Sequence, residues 1–419
     1  MTGKRILLCV QWYAPSVGGV QKVVREFGEE LARRGHDVTV ATTRVEGRGS
    51  GTLNGVAIRD FDVSGNLVEG IRGDAEAYRR FVLDGGFDAM LVYAAQQWTF
   101  DALWPILDRI PARKVHVPCG YSCLYEPGYS EYYRRMPDVL RWFDHLVFNA
   151  TDYRDVRFAR ENGLDRFSVL PNGASEKEFA ASLVPDLRQQ LGIAPDAFVL
   201  LSVGTPPFAK GHAEVAQAYA GASFPFPTCL VLDGRYERRD QPPTQGPGDR
   251  IRLHLRALLK KVLLGRENPV RNLLLAYRSI LRQRDKQIVF TDLPREKMIA
   301  AFFTADLFVF ASRVEYSPLV LFEAAAAGLP FLTVPVGNAE EIAEWTGAGE
   351  IVPAERDRVE NTRVSADVLS QAMAGLAVDR ERLMTLGRQG RERWRQNYTW
   401  EKIVGRYEEI LCSDGPGRS

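Results

Sequence analysis

Two glutamates eight residues apart, Glu315 and Glu323, flank the run Tyr316-Ser317-Pro318-Leu319-Val320-Leu321-Phe322, just after the apolar segment Leu307-Phe308-Val309-Phe310. The pattern predicts a strand ending at Phe310, a turn holding Glu315 to Ser317, and a helix from Pro318 to Gly328. Proline needs no amide partner at a first helical position, and glycine is a common helix stop. A helix so placed presents free backbone N–H groups, those of Leu319 and Val320, at the carboxyl edge of a sheet. Such amides, aligned with the helix dipole, form a ready anion site suited to phosphate. Glu323, one to two turns in, can accept hydrogen bonds from a diol.

Other reactive residue types are not arranged for chemistry. The five cysteines are scattered, Cys119 and Cys123 are the only close pair, and no second Cys/His pair follows for zinc. His36, His116, His145, His212 and His254 have no ligand spacing. Asp60-Phe61-Asp62 has the D-x-D form of a divalent-cation site. It ends the short strand that starts at Val56, and no second feature supports it. A nicotinamide site needs G-x-G-x-x-G after the first strand and an acid closing the second. Here the first loop offers only Gly18-Gly19, and the second strand ends Ala41-Thr42-Thr43-Arg44. Neither a metal nor a bound cofactor is expected.

The elements that must hold these residues read as two α/β halves. The 419 residues are 45% hydrophobic and 26% charged, values of a globular chain with a sizeable core. Lys and Arg number 54 against 53 Asp and Glu, so no nucleic-acid footprint is expected. Arg5 to Val10 reads as a buried strand, and Val20, Val23, Val24, Phe27 and Leu31 as a helical stripe. Asp37 to Ala41 is the next strand. More strands follow at 89–93, 114–117, 145–148 and 167–170, and a second series at 198–204, 229–232, 287–290, 307–310 and 330–334. Alternating strands and helices favour parallel sheets covered on both faces. The expected fold class is thus two doubly wound, Rossmann-like domains facing a cleft. The run Ile6–Val10 is too short for a signal-peptide core, and no stretch nears the ~18 apolar residues of a membrane span. The expected place is the cytoplasm.

One segment breaks the rhythm. Between Arg250 and Arg284 ten Lys and Arg oppose Glu267 alone, a surplus of nine that leaves the remaining chain at −8 against an overall +1. Ile251, Leu255, Leu258, Leu259 and Val262 share one helical face, and Leu273, Leu274, Leu275, Tyr277 and Ile280 enrich a second helix after Pro269. Such a pair can lie on an anionic membrane surface. The other reading is a helix pair packed on its own domain with its basic face in water.

The ordered motifs resemble glycosyltransferase family 4 (glycosyl transferases group 1), retaining enzymes of the GT-B fold. Glu315 and Glu323 match the family's E-x7-E. The supporting pieces are Pro15-Ser16-Val17-Gly18-Gly19-Val20, Arg34-Gly35-His36-Asp37-Val38, Pro171-Asn172-Gly173, Lys210-Gly211-His212, Thr304-Ala305-Asp306-Leu307, Gly337-Asn338-Ala339-Glu340-Glu341 and Tyr398-Thr399-Trp400. The resemblance implies an acceptor-binding domain over 1–175. A nucleotide-sugar donor domain would span 190–395 with the basic insertion at 240–286, and a C-terminal helix over 396–419 would return to the first domain. It implies a catalytic set of His116, Lys210 and Glu315. The donor would be bound by Gly18, Gly19, Lys210, Glu315, Ser317, Leu319, Val320 and Glu323. In that set Lys210 holds the diphosphate, Glu323 the ribose hydroxyls and Glu315 the transferred sugar, while His116 faces that sugar from the first domain. Fixed cations and amide dipoles aimed at a leaving phosphate stabilise the transition state more than the ground state.

Two departures stand out. Where the family places a second phosphate-clamping arginine, the sequence Gly204-Thr205-Pro206-Pro207-Phe208-Ala209-Lys210 has Thr205, and Arg313 is the candidate to replace it. Glu315 is also followed by Tyr316-Ser317-Pro318 rather than Gly-Phe-Gly. The expected function is metal-independent, retaining transfer of a hexosyl group from a UDP-sugar, or alternatively a GDP-sugar, to a hydroxyl. The acceptor would be a glycan or lipid-linked intermediate of cell-surface polysaccharide biosynthesis. If the basic insertion touches lipid, the protein would sit peripherally on the inner membrane face. Competing readings are a GT-B sugar epimerase and a non-catalytic nucleotide-sugar binder or scaffold.

Overall fold

A computed structural model of the protein describes residues 3–48, 51–180, 186–205, 208–235 and 269–413. The chain forms two units, Met1–Gly173 with Asn397–Ser419, and Ala174–Gln396.

The first unit is built on one sheet of β1 (Arg5–Cys9), β2 (Asp37–Thr43), β3 (Thr52–Leu53), β4 (Val56–Phe61), β5 (Ala89–Tyr93), β6 (Arg113–Val117), β7 (His145–Phe148) and β8 (Phe167–Val169). Their order is β8-β7-β6-β5-β1-β2-β4-β3. The pairings are parallel except that of the short β3, which runs antiparallel to β4. Strands covered on both faces read as near-continuous apolar runs, and β5 is buried throughout. The helix Gly19–Arg33 buries Val23, Val24, Phe27 and Leu31, the stripe seen in the sequence.

The C-terminal helix Trp400–Cys412 belongs to this unit and packs on that helix. The Phe27 ring lies 5.8 Å from Trp400 and 4.5 Å from Tyr407. A polar clasp frames the aromatic contact. Arg34 donates from Nη1 to Glu408 Oε2 at 2.8 Å, and His36 Nε2 meets Glu408 Oε1 at 2.8 Å. The Lys4 amide donates to His36 Nδ1, so Nε2 carries the proton that points at the carboxylate.

The second unit has a sheet of β9 (Phe198–Val203), β10 (Thr228–Asp233), β11 (Lys286–Thr291), β12 (Leu307–Phe310), β13 (Phe331–Thr333) and β14 (Gly349–Ile351), ordered β11-β10-β9-β12-β13-β14. All five pairings are parallel. The strand order reverses around β9, so β9 and β12 send their carboxyl ends to a topological switch point, where ligand sites of such sheets form.

Of the basic helix pair, residues 250–262 lie outside the described residues. The second helix, Pro269–Ile280, buries Leu273, Leu274, Ala276 and Ile280. Its exposed residues include Arg271, Leu275 and Arg278, continued beyond its end by Leu281 and Arg282. Among the described residues no helix is long and apolar enough to cross a membrane.

Candidate functional site at the carboxyl edge of the second sheet

The loop after β9 and the loop after β12 are fastened through their backbones. The Arg313 amide donates to the Ala209 carbonyl at 3.0 Å. Gly211, φ +77°, leaves so little room that a Cβ there would lie 1.9 Å from the Ala311 carbonyl oxygen. This joint brings two residues far apart in sequence into contact, Lys210 Nζ standing 2.5 Å from Glu315 Oε1. The Ser312 hydroxyl meets the same carboxylate oxygen at 2.9 Å. The loop from Glu315 to Ser317 is pinned from its far side by the Asn338 amide, which donates to the Tyr316 carbonyl at 2.9 Å.

The helix that follows spans Leu319–Ala327 and stops at Gly328, φ +72°. Pro318 is its N-cap, with ψ 111°, rather than its first helical residue as the sequence suggested. Leu319 and Val320 therefore occupy the first two helical positions. Their N–H groups precede the i to i−4 ladder and point out of the helix end. Ser317 sits half-buried just before the cap.

Glu323 lies on the buried face of this helix and is 3% exposed. A carboxylate so desolvated needs a cation and hydrogen bonds, and Arg295 supplies them, donating from Nη2 to Glu323 Oε1 at 2.6 Å. The same guanidinium donates from Nε to Glu178 Oε1 at 2.9 Å and from Nη2 to Glu178 Oε2 at 2.5 Å. Burial alone would lower the Arg295 pKa, but the two carboxylates outweigh it and hold the group above its ordinary range. Neither Arg295 nor Glu178 was singled out from sequence, since no local pattern links residues so far apart.

Arg313, the candidate for the missing phosphate clamp, is paired with a carboxylate. Its Nε donates to Glu214 Oε1 at 2.8 Å and its Nη2 contacts the same atom, so its charge is spent on the helix His212–Gly221.

In the first unit, Gly18 is extended (φ 177°) and Gly19 opens the helix that ends at Arg33. The loop before them is held by Arg48, which is threaded under it. Its Nε donates to the Ala14 carbonyl at 2.8 Å, and its Nη1 to the Thr43 carbonyl at 3.2 Å while also pairing with Asp60. The aspartate of the D-x-D string is thus engaged by an arginine.

His116 lies within β6, one residue before its carboxyl end. β6 continues through Val117, so His116 lies on a sheet face rather than beyond the strand, and it is fully buried. Its ring stacks on Phe100 at 4.3 Å and lies 5.1 Å from Phe143. Nδ1 meets the Val92 carbonyl at 2.9 Å, so Nδ1 carries the proton. Burial pushes its pKa down to about 3, and the neutral imidazole is a core group. The turn beyond β6 instead presents Cys119, φ +63°, whose thiol is pushed up to about 12, first by burial and then by Asp155.

Two family profiles cover most of the chain. Residues 17–177 match "Glycosyltransferase Family 4", and residues 253–392 match "Glycosyl transferases group 1". The chain belongs to glycosyltransferase family 4. A segment of 105 residues is 29% identical to a GDP-mannose-dependent alpha-(1-6)-phosphatidylinositol monomannoside mannosyltransferase of Mycobacterium tuberculosis, spanning 25% of this family 4 chain and 25% of that protein. Solved structures with the same architecture include sucrose-phosphate synthase from Thermosynechococcus elongatus, at 19% identity and a TM-score of 0.69, covering 97% of this chain and 98% of that one. WaaG, a glycosyltransferase involved in lipopolysaccharide biosynthesis, aligns at 18% identity and a TM-score of 0.64, covering 98% and 100%. Anabaena HepE in complex with UDP-glucose aligns at 16% identity and a TM-score of 0.67, covering 97% and 99%. At these identities the likeness is one of fold, and the family 4 chain has the GT-B fold.

The burial of His116 has a measurable signature. The unfolded imidazole binds a proton below about 6.5, the folded one only below about 3. The unfolded state therefore holds the extra proton between those values, and stability falls as pH falls through that window. His116→Phe should fold and lower the slope of unfolding free energy against pH, between pH 6 and 4, by about 1.4 kcal/mol per pH unit. Denaturant titrations across that range measure it, and an unchanged slope would show that the ring is solvated.

Proposed function

We propose that this family 4 protein is a retaining glycosyltransferase that moves a hexosyl group from a nucleoside diphosphate sugar to a hydroxyl. The observation that carries this reading is the Lys210–Glu315 contact, set beside the open end of the helix Leu319–Ala327 and the buried Glu323. As the glycosidic bond breaks, negative charge grows on the leaving phosphate. Lys210 and the Leu319 and Val320 amides are fixed donors for that charge, and such preorganised groups lower the barrier without reorganising during the reaction. Glu323, paired with Arg295, accepts from the ribose hydroxyls. Glu315 and Ser317 contact the transferred sugar, and Gly18 and Gly19 allow close backbone approach in the first unit. In this reading a lysine and amide dipoles do the work a divalent cation does elsewhere.

The donor is a UDP-sugar, with a GDP-sugar as the alternative. HepE is described with UDP-glucose and the mycobacterial relative as GDP-mannose-dependent. The acceptor is a glycan or a lipid-linked intermediate, in keeping with the phosphatidylinositol mannoside and lipopolysaccharide named for two of the similar proteins. The outward face of the helix Pro269–Ile280, with Arg271, Leu275 and Arg278 exposed, supports peripheral contact with an anionic membrane. Cations around exposed leucines are the composition that binds such surfaces.

Incubation of the purified protein with radiolabelled UDP- and GDP-hexoses should release the nucleotide of one series, and NMR of the product should show the donor's anomeric configuration retained. Glu315→Gln should lower that turnover by at least about 10²-fold, and turnover unaffected by the change would refute the role given to Glu315. In flotation with phosphatidylglycerol vesicles, the triple change Arg271→Gln, Arg278→Gln and Arg282→Gln should reduce binding several-fold relative to wild type. Equal flotation of the two proteins would rule out membrane contact through this face.

A further inference from the structure

Thr205 stands where a second phosphate-binding cation is expected, and Arg313 is bound to Glu214. The neighbouring strand brings another arginine to the same spot. β9 and β10 pair in parallel with Val203 opposite Asp233, so Gly204-Thr205 and Gly234-Arg235 leave the sheet side by side. The Gly204 amide donates to the Asp233 carbonyl at 2.9 Å, and the Arg235 amide to the Thr205 hydroxyl oxygen at 3.3 Å. A Cβ on Gly234 would lie 2.4 Å from the Gly204 carbonyl oxygen, and one on Gly204 would lie 2.5 Å from Lys210 Cβ and Cγ. Lys210, Gly204, Gly234 and Arg235 thus form one continuous surface in which two glycines make the close packing feasible.

The charges at this edge differ in how firmly they are held. Lys210 faces Glu315 at 2.5 Å, and Arg295 is shared by Glu178 and Glu323. The Arg235 side chain is 46% exposed and meets Asp292, itself 58% exposed, at 3.3 Å through Nε. An exposed ion pair of that kind is worth about 0–1 kcal/mol, whereas arginine binds phosphate through charge-assisted, often bidentate hydrogen bonds.

We propose that Arg235 is the second diphosphate-binding cation of this site, supplied from the end of β10 in place of an arginine at position 205. On binding, its guanidinium leaves Asp292 and joins Lys210 on the diphosphate oxygens. This rests on the reading of the site as one for a nucleoside diphosphate.

Calorimetric titration of the full chain with UDP, GDP and ADP tests it, alongside Arg235→Gln, Asp292→Asn and the double change Thr205→Arg with Arg235→Gln. For the diphosphate that wild type binds, Arg235→Gln should weaken affinity at least tenfold while leaving the melting temperature unchanged. The corresponding monophosphate should lose less. Asp292→Asn should bind as tightly as wild type or tighter, and Thr205→Arg should restore part of the lost affinity. Wild-type diphosphate affinity in Arg235→Gln would overturn the assignment and leave the site reading intact. Failure of wild type to bind any of the three diphosphates would overturn the site reading, and the role of Arg235 with it.

Discussion

The joint between the loops that follow β9 and β12 governs what the second unit can do. The hydrogen bond from the Arg313 amide to the Ala209 carbonyl, with Gly211 pressed against Ala311, fixes the spacing of Lys210 and Glu315. Without it both side chains would sit on independent loops. The joint exists because β9 and β12 are hydrogen-bonded neighbours across the switch point, so their carboxyl ends emerge side by side. Glycine at 211 is what permits the approach, since any Cβ would collide with backbone.

Charge balance is the second constraint. The cations around this edge largely face carboxylates: Lys210 faces Glu315, Arg313 faces Glu214, and Arg295 faces both Glu178 and Glu323. Such pairing keeps half-buried charges tolerable in the free protein. Arg295 supplies the countercharge and the hydrogen bond that the buried Glu323 carboxylate needs.

Much of this was legible in the sequence, and the gaps have physical causes. The strands at 89–93 and 307–310 begin and end as the apolar runs do, because strands covered on both faces are apolar at nearly every position. The strand Gly349–Ile351 was missed since three residues at a sheet edge carry no such run. Lys210, Glu315 and Glu323 were named one at a time, from motif order; the short contact between the first two is a product of topology. The strand around His116 was legible at 114–117, but the stacking of its ring on Phe100 and Phe143 was not, because those partners come from elsewhere in the chain. Arg295 and Arg48 were invisible, as each acts on partners that only folding brings near. Arg48 in particular binds backbone carbonyls, which leave no trace in residue identity.

The central claim is that a nucleoside diphosphate binds where Lys210, Glu315 and the first turn of the helix Leu319–Ala327 meet. Hydrogen–deuterium exchange of the full chain, with and without saturating UDP or GDP, tests it most directly. Slowed exchange is expected in the second unit in peptides covering residues 204–212, 233–235 and 313–323, including the Leu319 and Val320 amides. Nucleotide binding that leaves those peptides unchanged while protecting others would contradict it.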